Sequence, residues 1–291
     1  MERFIRNVLL KHWSRTDWFG DLACMLISLR MPKHIPTALG VGLPRSGTHT
    51  IAECWSGNVA WHEAWHASII HLLTQYKSGK ISKRRVQRRL LCRWRLALRV
   101  DLDVFHALHH FLDVLPEHEQ PSHYILTVRE PIKWVESIMN QSYITRDMPI
   151  WMELEDYNHG RYNLPFESWD TDELQRYVRW PVRAYFKYWN DHVAHVLSTV
   201  DKNKLIVGQP NMLPGFLSDI ADFCNLDKSL LVIDHHGGKG NRQIPSTAIP
   251  DRETLLRIFS EECEVAVRLL SDVGISIKTA LSPPEVKVGA I

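Results

Sequence analysis

The 291-residue sequence has only five cysteines, Cys24, Cys54, Cys92, Cys224 and Cys263, far apart and in no C-x-x-C pair. Such an odd, scattered set argues against a disulfide framework and a cysteine zinc site. It points to free thiols in a reducing compartment, so a cytoplasmic location is expected. Also missing is any apolar run long enough to cross a bilayer, and Met1-Glu2-Arg3-Phe4-Ile5-Arg6 opens on mixed charges rather than as a secretory leader. A strong net charge is absent too. The 35 basic and 33 acidic residues leave a formal +2, too little to imply a nucleic-acid partner. What remains is an ordinary globular composition, 45% apolar and 23% charged, able to bury a substantial core.

Residues 1 to 31 read as two amphipathic helices, the first with Phe4, Ile5, Val8, Leu9 and Trp13 on one face and Arg3, Arg6, Lys11 and Arg15 beside it. Packing on the domain is the expected fate, with a weak membrane-surface contact as the other reading.

The most informative stretch is Leu39-Gly40-Val41-Gly42-Leu43-Pro44-Arg45-Ser46-Gly47-Thr48-His49-Thr50. It runs from an apolar strand through a turn with Gly42, Pro44 and Gly47 into a helical segment. Backbone N–H groups and the positive end of a helix dipole converge at such a junction, which suits a phosphate or sulfate. The spacing Gly42-x-x-x-x-Gly47 is half of the triphosphatase loop G-x-x-x-x-G-K-[ST]. Thr48 stands in place of the lysine that would reach the outer phosphates, and His49 in place of the magnesium-ligating hydroxyl. Arg45 with Ser46, Thr48 and Thr50 suits one anionic group without a metal. The plainer alternative is a glycine turn opening an ordinary helix.

Asn58 to Trp61 reads as a second strand, followed by His62-Glu63-Ala64-Trp65-His66. Residues just past a strand's carboxyl end face the ligand crevice of a doubly wound sheet, so Glu63 is placed to act as a general base with His62 and His66 beside it. The same residues match H-E-x-x-H, a zinc string that requires a long helix and a third ligand. Histidines that merely cap or pack a helix are the third reading.

From Lys77 to Arg99 the chain carries ten Lys or Arg and no acid, with Leu90, Leu91, Trp94 and Leu98 at helical spacing. This predicts a basic helix, either a solvated face or an electrostatic funnel for a polyanion, an acidic lipid surface or an acidic acceptor. Arg99 to Asp103 reads as a third strand, and His106, soon after it, is a second candidate base. Tyr124 to Val128 is a clear β-run. Arg129 follows it, Pro131 opens a helix, and Ser137 lies two turns along, so that a guanidinium and a hydroxyl can share a phosphate.

Taken together, Gly42-Leu43-Pro44-Arg45-Ser46-Gly47-Thr48-His49-Thr50 and Val128-Arg129-Glu130-Pro131 through Ser137 resemble two motifs of the sulfotransferases that use 3′-phosphoadenosine 5′-phosphosulfate (PAPS). These are the 5′-phosphosulfate loop G-x-P-[KR]-[ST]-G-T-[TS] and the 3′-phosphate motif. The resemblance implies an α/β fold with a central parallel sheet flanked by helices, phosphate-loop-like with helical insertions, in a single domain over 1–291. Within it 1–35 would be N-terminal helices, 36–272 the core, 140–180 an acceptor-side insertion and 273–291 a tail. It further implies PAPS as co-substrate, no metal, and sulfuryl transfer to a hydroxyl or amine of unknown identity. By position, Arg45 matches the cation facing the leaving phosphate, and Ser46, Gly47, Thr48, His49 and Thr50 match the 5′-phosphate cradle. Arg129 and Ser137 match the 3′-phosphate clamp. His49 departs from the usual hydroxyl residue, and the base is left between Glu63 and His106.

Further along, Ala184 to His192 reads as part of a long helix, Lys204 to Gly208 as a strand and Phe216 to Cys224 as a helix. That order resembles the approach to the family's last cofactor loop, here Asp234 to Arg242, in which Lys239 and Arg242 would reach the nucleotide and Gly238 replaces an arginine. A final helix is expected through Leu255, Leu256, Ile258, Phe259, Val265 and Leu269. The segment from Asn140 to Trp180, rich in aromatics and acids, reads as an irregular binding loop. Two rival classes remain. A kinase-like phosphotransferase lacks the loop lysine and magnesium-ligating hydroxyl it would need, and a non-catalytic anion- or nucleic-acid-binding protein would rest on the basic helix 77–99.

Overall fold

A computed structural model describes residues 34–57, 59–94, 100–115, 120–232 and 243–277. The expected N-terminal helices, the loop with Lys239 and Arg242, and the tail beyond 277 lie outside these residues.

Five short strands form one parallel sheet in the order β2-β3-β1-β4-β5: β1 Ala38–Gly40, β2 Ala60–His62, β3 Leu102–Val104, β4 His123–Thr127 and β5 Leu205–Gly208. The helices are α1 Thr48–Glu53, α2 His66–Lys77, α3 Lys83–Arg93, α4 Pro131–Thr145, α5 Pro149–Asn158, α6 Val182–Thr199, α7 Leu213–Phe223, α8 Arg252–Glu262 and α9 Glu264–Asp272. Asp172–Gln175 adds a single turn capped by the Thr171 hydroxyl. None of the described helices is long and apolar enough to cross a membrane.

Successive strand residues point to opposite faces, and both faces are covered, so the strands are apolar without a polar side. Ala38, Leu102, Val104 and Ile125 pack with Ile51 of α1 and with Phe216 and Ile220 of α7. Leu39, Tyr124 and Leu126 face the other layer, which holds Leu90 of α3, Trp134 of α4 and Trp189 of α6. The result is a three-layer α/β sandwich, the architecture expected for alternating strands and helices.

Register sets the site. Gly40 and His62 both align with Val104 of β3, so the carboxyl ends of β1, β2 and β3 are level. Glu63 N donates to Val104 O at 2.8 Å, and Phe105 N to Gly40 O at 3.0 Å. The chain leaves β1 for strands on both sides of it, which opens a crevice at these carboxyl ends.

Three expectations about elements change. The basic stretch is not one helix from 77 to 99: α2 ends at Lys77, Gly79 turns the chain at φ +72°, and α3 begins at Lys83. The segment from Asn140 to Trp180 is mostly helical, because α4 runs on to Thr145 and α5 follows after three residues. The last helix is two, broken at Cys263, and Val265 is 44% exposed rather than in the core. The thiol of Cys263 faces Phe186 O at 3.4 Å, which draws the break against α6.

Candidate active site

The loop after β1 is held down by β4. Leu43 N donates to Thr127 O at 3.0 Å, and a Cβ on Gly42 would lie 1.9 Å from Thr127 Oγ1, so only glycine lets the two segments approach this closely. Ser46 is fully buried. Its hydroxyl engages Leu43 O at 2.5 Å, Thr127 O at 2.9 Å and Thr127 Oγ1 at 2.7 Å. It therefore shapes the loop from behind instead of facing the cavity. Arg45 and Gly47 take left-handed backbone angles, φ 62° and 94°, and Gly47 caps α1. Among these residues Arg45, Gly47, Thr48, His49 and Thr50 do line the cavity.

Arg129, at the end of β4, and Ser137, on α4, reach the same loop. Arg45 Nε donates to Ser137 Oγ at 3.3 Å, and Arg129 Nη1 to Arg45 O at 3.3 Å. Trp134 Nε1 ties Pro44 O from α4 at 2.7 Å, and Trp189 Nε1 ties Arg129 O from α6 at 3.2 Å. Among the described residues neither Arg45 nor Arg129 has a carboxylate ion-pair partner. Burial, with the Arg45 charge beside it, pulls the pKa of Arg129 below the ordinary arginine value. Glu130 and Glu136 offset part of this without pairing directly with Arg129, and two neighbouring guanidiniums with no ion pair among the described residues form a site that an anion would stabilise.

Across the cavity stand the candidate bases. Glu63 Oε1 lies 3.5 Å from His106 Nδ1 and 3.8 Å from His62 Nε2. Burial pushes the Glu63 carboxyl up, but its hydrogen-bonding contact with His106 and the His106, His62 and His66 rings outweigh it, so the pKa sits below the usual carboxylate range. Burial lowers that of His62, partly offset by Glu63. His106 Nδ1 has no fully formed hydrogen bond, and its ring packs edge-on to Phe105 at 5.1 Å. Glu63 and Trp65 both have positive φ, 50° and 56°, a strained turn that costs about 1 kcal/mol or more per residue.

What holds that turn is Arg93, which composition placed on a basic surface. Arg93 is 2% exposed. It donates to Ala64 O from Nη2 at 2.7 Å and to Asp103 Oδ1 at 3.0 Å, and Nη1 pairs with Asp103 Oδ2. Trp94 Nε1 completes the Asp103 carboxylate at 2.9 Å. Arg89 is buried as well, so part of the supposed funnel is interior. The H-E-x-x-H string is not helical: His62 ends β2, the turn intervenes, and His66 opens α2 and stacks on Trp151 at 5.0 Å. The two histidines therefore do not present the shared helical face that a zincin requires.

The cavity these groups line has a volume of about 1110 Å³. Helix α4 runs along it, from Glu130 and Lys133 at the arginine end to Ile138, Gln141 and Thr145 at the other. Helix α5 closes the far wall with Trp151, Leu154, Glu155 and Asn158, spaced three and four apart on one face, and His159 follows. Sequence reasoning missed Lys133, His159 and Arg252 as cavity residues, whereas Glu155 was among the acids of the expected acceptor-side segment. Lys133 was readable in the first turn of α4, four residues after Arg129. Glu155 and His159 sat in a stretch taken for a loop, and Arg252 carries no local signal.

No protein-family model matches the sequence, and no curated protein is similar to it. In structure the chain is similar to the sulfotransferase domain from the Synechococcus PCC 7002 olefin synthase, with TM-score 0.38 and 14% identity over 86% of this chain and 99% of that one. It is also similar to the sulfotransferase domain from the curacin biosynthetic pathway, with TM-score 0.43 and 13% identity over 85% of this chain and all of that one. A likeness at this level supports no statement about this chain's chemistry, which has to come from its own residues.

Proposed function

We propose that the chain is a PAPS-dependent sulfotransferase that moves a sulfuryl group to a hydroxyl or amine by in-line displacement without a metal. The observation that carries the reading is the meeting of Arg45, Arg129 and Ser137. Residues 84 and 92 positions apart converge within 3.3 Å contacts around two cations that have no carboxylate ion pair among the described residues. These residues fit a nucleotide with two separate anionic groups. Arg45 with the Gly47 to Thr50 turn would hold the phosphosulfate, and Arg129 with Ser137 the 3′-phosphate. Thr48 and His49, in the places of a lysine and a magnesium-ligating hydroxyl, disfavour triphosphate chemistry.

PAPS, when bound, supplies an activated sulfuryl group. Arg45 would meet the charge that grows on the departing phosphate, the kind of fixed electrostatic stabilisation that dominates many transfer reactions. The acceptor proton would pass to the Glu63–His106 pair, whose 3.5 Å contact lets a carboxylate orient and charge-stabilise an imidazole. The α5 face forms the acceptor side of the cavity.

Calorimetry with adenosine 3′,5′-bisphosphate in the presence of EDTA tests the cofactor assignment. Binding is expected without magnesium, and Arg129→Ala should weaken it by about a hundredfold, the loss of a charged bidentate contact. Absence of binding, or binding only with magnesium, overturns the reading. A screen of hydroxyl and amine acceptors with labelled PAPS then tests transfer itself.

A further inference from the structure

The far wall of the cavity contains a group that the cofactor and the bases leave unused. Glu155 is 7% exposed and lines the cavity from α5. Its Oε1 accepts from Thr145 Oγ1 at 3.2 Å, whereas Oε2, with the Ser142 hydroxyl near the carboxyl, makes no fully formed hydrogen bond among the described residues. Among those residues no cation pairs with it directly: Arg179, whose charge reaches Glu155, is ion-paired with Asp156 at 3.2 Å. The nearby His159 Nδ1 is likewise buried and unpartnered. A buried carboxylate with an incompletely bonded oxygen and no direct ion pair is costly unless something outside the chain completes it.

The distribution of charge along the cavity says what that is. Arg45, Arg129 and Lys133 stand at the loop end. Thr145, the partner of Glu155, lies twelve residues beyond Lys133 on α4, about 18 Å away along the helix axis. Between them the wall is apolar at Ile138, Leu154 and Trp151, with Gln141 as the polar side chain of that stretch of α4. One end of the cavity suits an anion, and the other presents the Glu155 carboxyl beyond a mainly apolar stretch.

We propose that Glu155 recognises the acceptor, and that the acceptor it selects has an apolar body carrying a primary ammonium group. This builds on the sulfuryl-transfer reading, which supplies the other substrate. An ammonium brings both the missing charge and donors for Glu155 Oε2 and His159 Nδ1. A neutral alcohol of the same shape supplies donors but leaves the carboxylate uncompensated, and an anionic ligand is repelled. Burial, only partly offset by the Ser142 and Thr145 hydroxyls, pushes the free carboxyl up to about 7. An ammonium beside it reverses that shift, so binding near neutral pH expels a proton from Glu155.

The test compares phenylpropylamine with phenylpropanol by calorimetry on the full chain, with and without saturating adenosine 3′,5′-bisphosphate. The amine is expected to bind at least about tenfold tighter, the increment of a charge-assisted hydrogen bond. At roughly pH 6.5 its heat should depend on the buffer's ionisation enthalpy, reporting proton release. Glu155→Gln should abolish both the preference and the proton release while nucleotide affinity is kept. An amine no tighter than the alcohol, no proton release, or a preference that survives in the variant overturns the proposal. The wild-type comparison decides alone if the variant fails to fold. Glu155-dependent amine binding in a chain that does not bind the nucleotide would keep this subsite and sink the sulfuryl-transfer reading instead.

Discussion

At the scale of single residues, burial decides what a charge does. Arg93 and Asp103 are both interior and satisfy each other, so removing either leaves an uncompensated charge. Arg93→Ala is expected to cost about 3–5 kcal/mol in a urea titration, and it also frees the Ala64 carbonyl beneath the strained Glu63 turn. Arg93→Lys should recover only part of this, because a point charge does not reproduce the planar fork that bridges Ala64 and Asp103. Glu155 shows the opposite case, an acid with no direct ion pair among the described residues. Its pKa lies above that of an unfolded chain, so the folded state binds the extra proton. That contribution is fully present below about pH 4.5 and is lost as pH rises through about 7. Glu155→Gln should therefore flatten the decline of stability between these pH values, by at most roughly 3 kcal/mol in denaturant titrations at pH 5 and pH 8. An unchanged pH slope would contradict this.

At the scale of elements, the loop after β1 works through what it touches. A Cβ at Gly42 would also come within 2.7 Å of the Thr127 backbone nitrogen, which cannot swing aside as a side chain can. Gly42→Ala is expected to push the loop off β4 and reduce adenosine 3′,5′-bisphosphate affinity at least about tenfold, as measured by calorimetry. Helix α4 depends on its cap: Glu130 accepts from Ile132 N at 3.4 Å and from Lys133 N at 2.9 Å. Glu130→Ala should cost about 1 kcal/mol in thermal unfolding, small beside the Arg93 effect. The strands and helices around the two motifs were legible because their patterns are local. Tyr124 to Val128 is an apolar run, and Pro131 belongs at a helix start. The break at Cys263 was not legible, since it depends on how the last two helices meet α6.

At the scale of the whole molecule, the sheet brings together groups that sequence separates. Glu63 follows β2 and His106 follows β3, and the shared level of Val104 sets them face to face. If the pair works as a unit, Glu63→Gln and His106→Ala should each slow single-turnover transfer by a similar factor, and the double variant should be little worse than either. Additive losses would show two independent roles. The sequence by itself determined the α/β class, the two strand-loop-helix motifs, the absence of the loop lysine and the list of candidate bases. Each of these is carried by neighbouring residues, whose spacing alone dictates strand, turn or helix. Tertiary structure alone decided that Ser46 faces inward, that Arg93 lies in the interior, that Glu63 meets His106, and that α5 gives the cavity an acidic far wall. Those outcomes depend on burial and on the register between strands distant in sequence, and the energy of a charge or hydroxyl is set by which other chain segment lies against it.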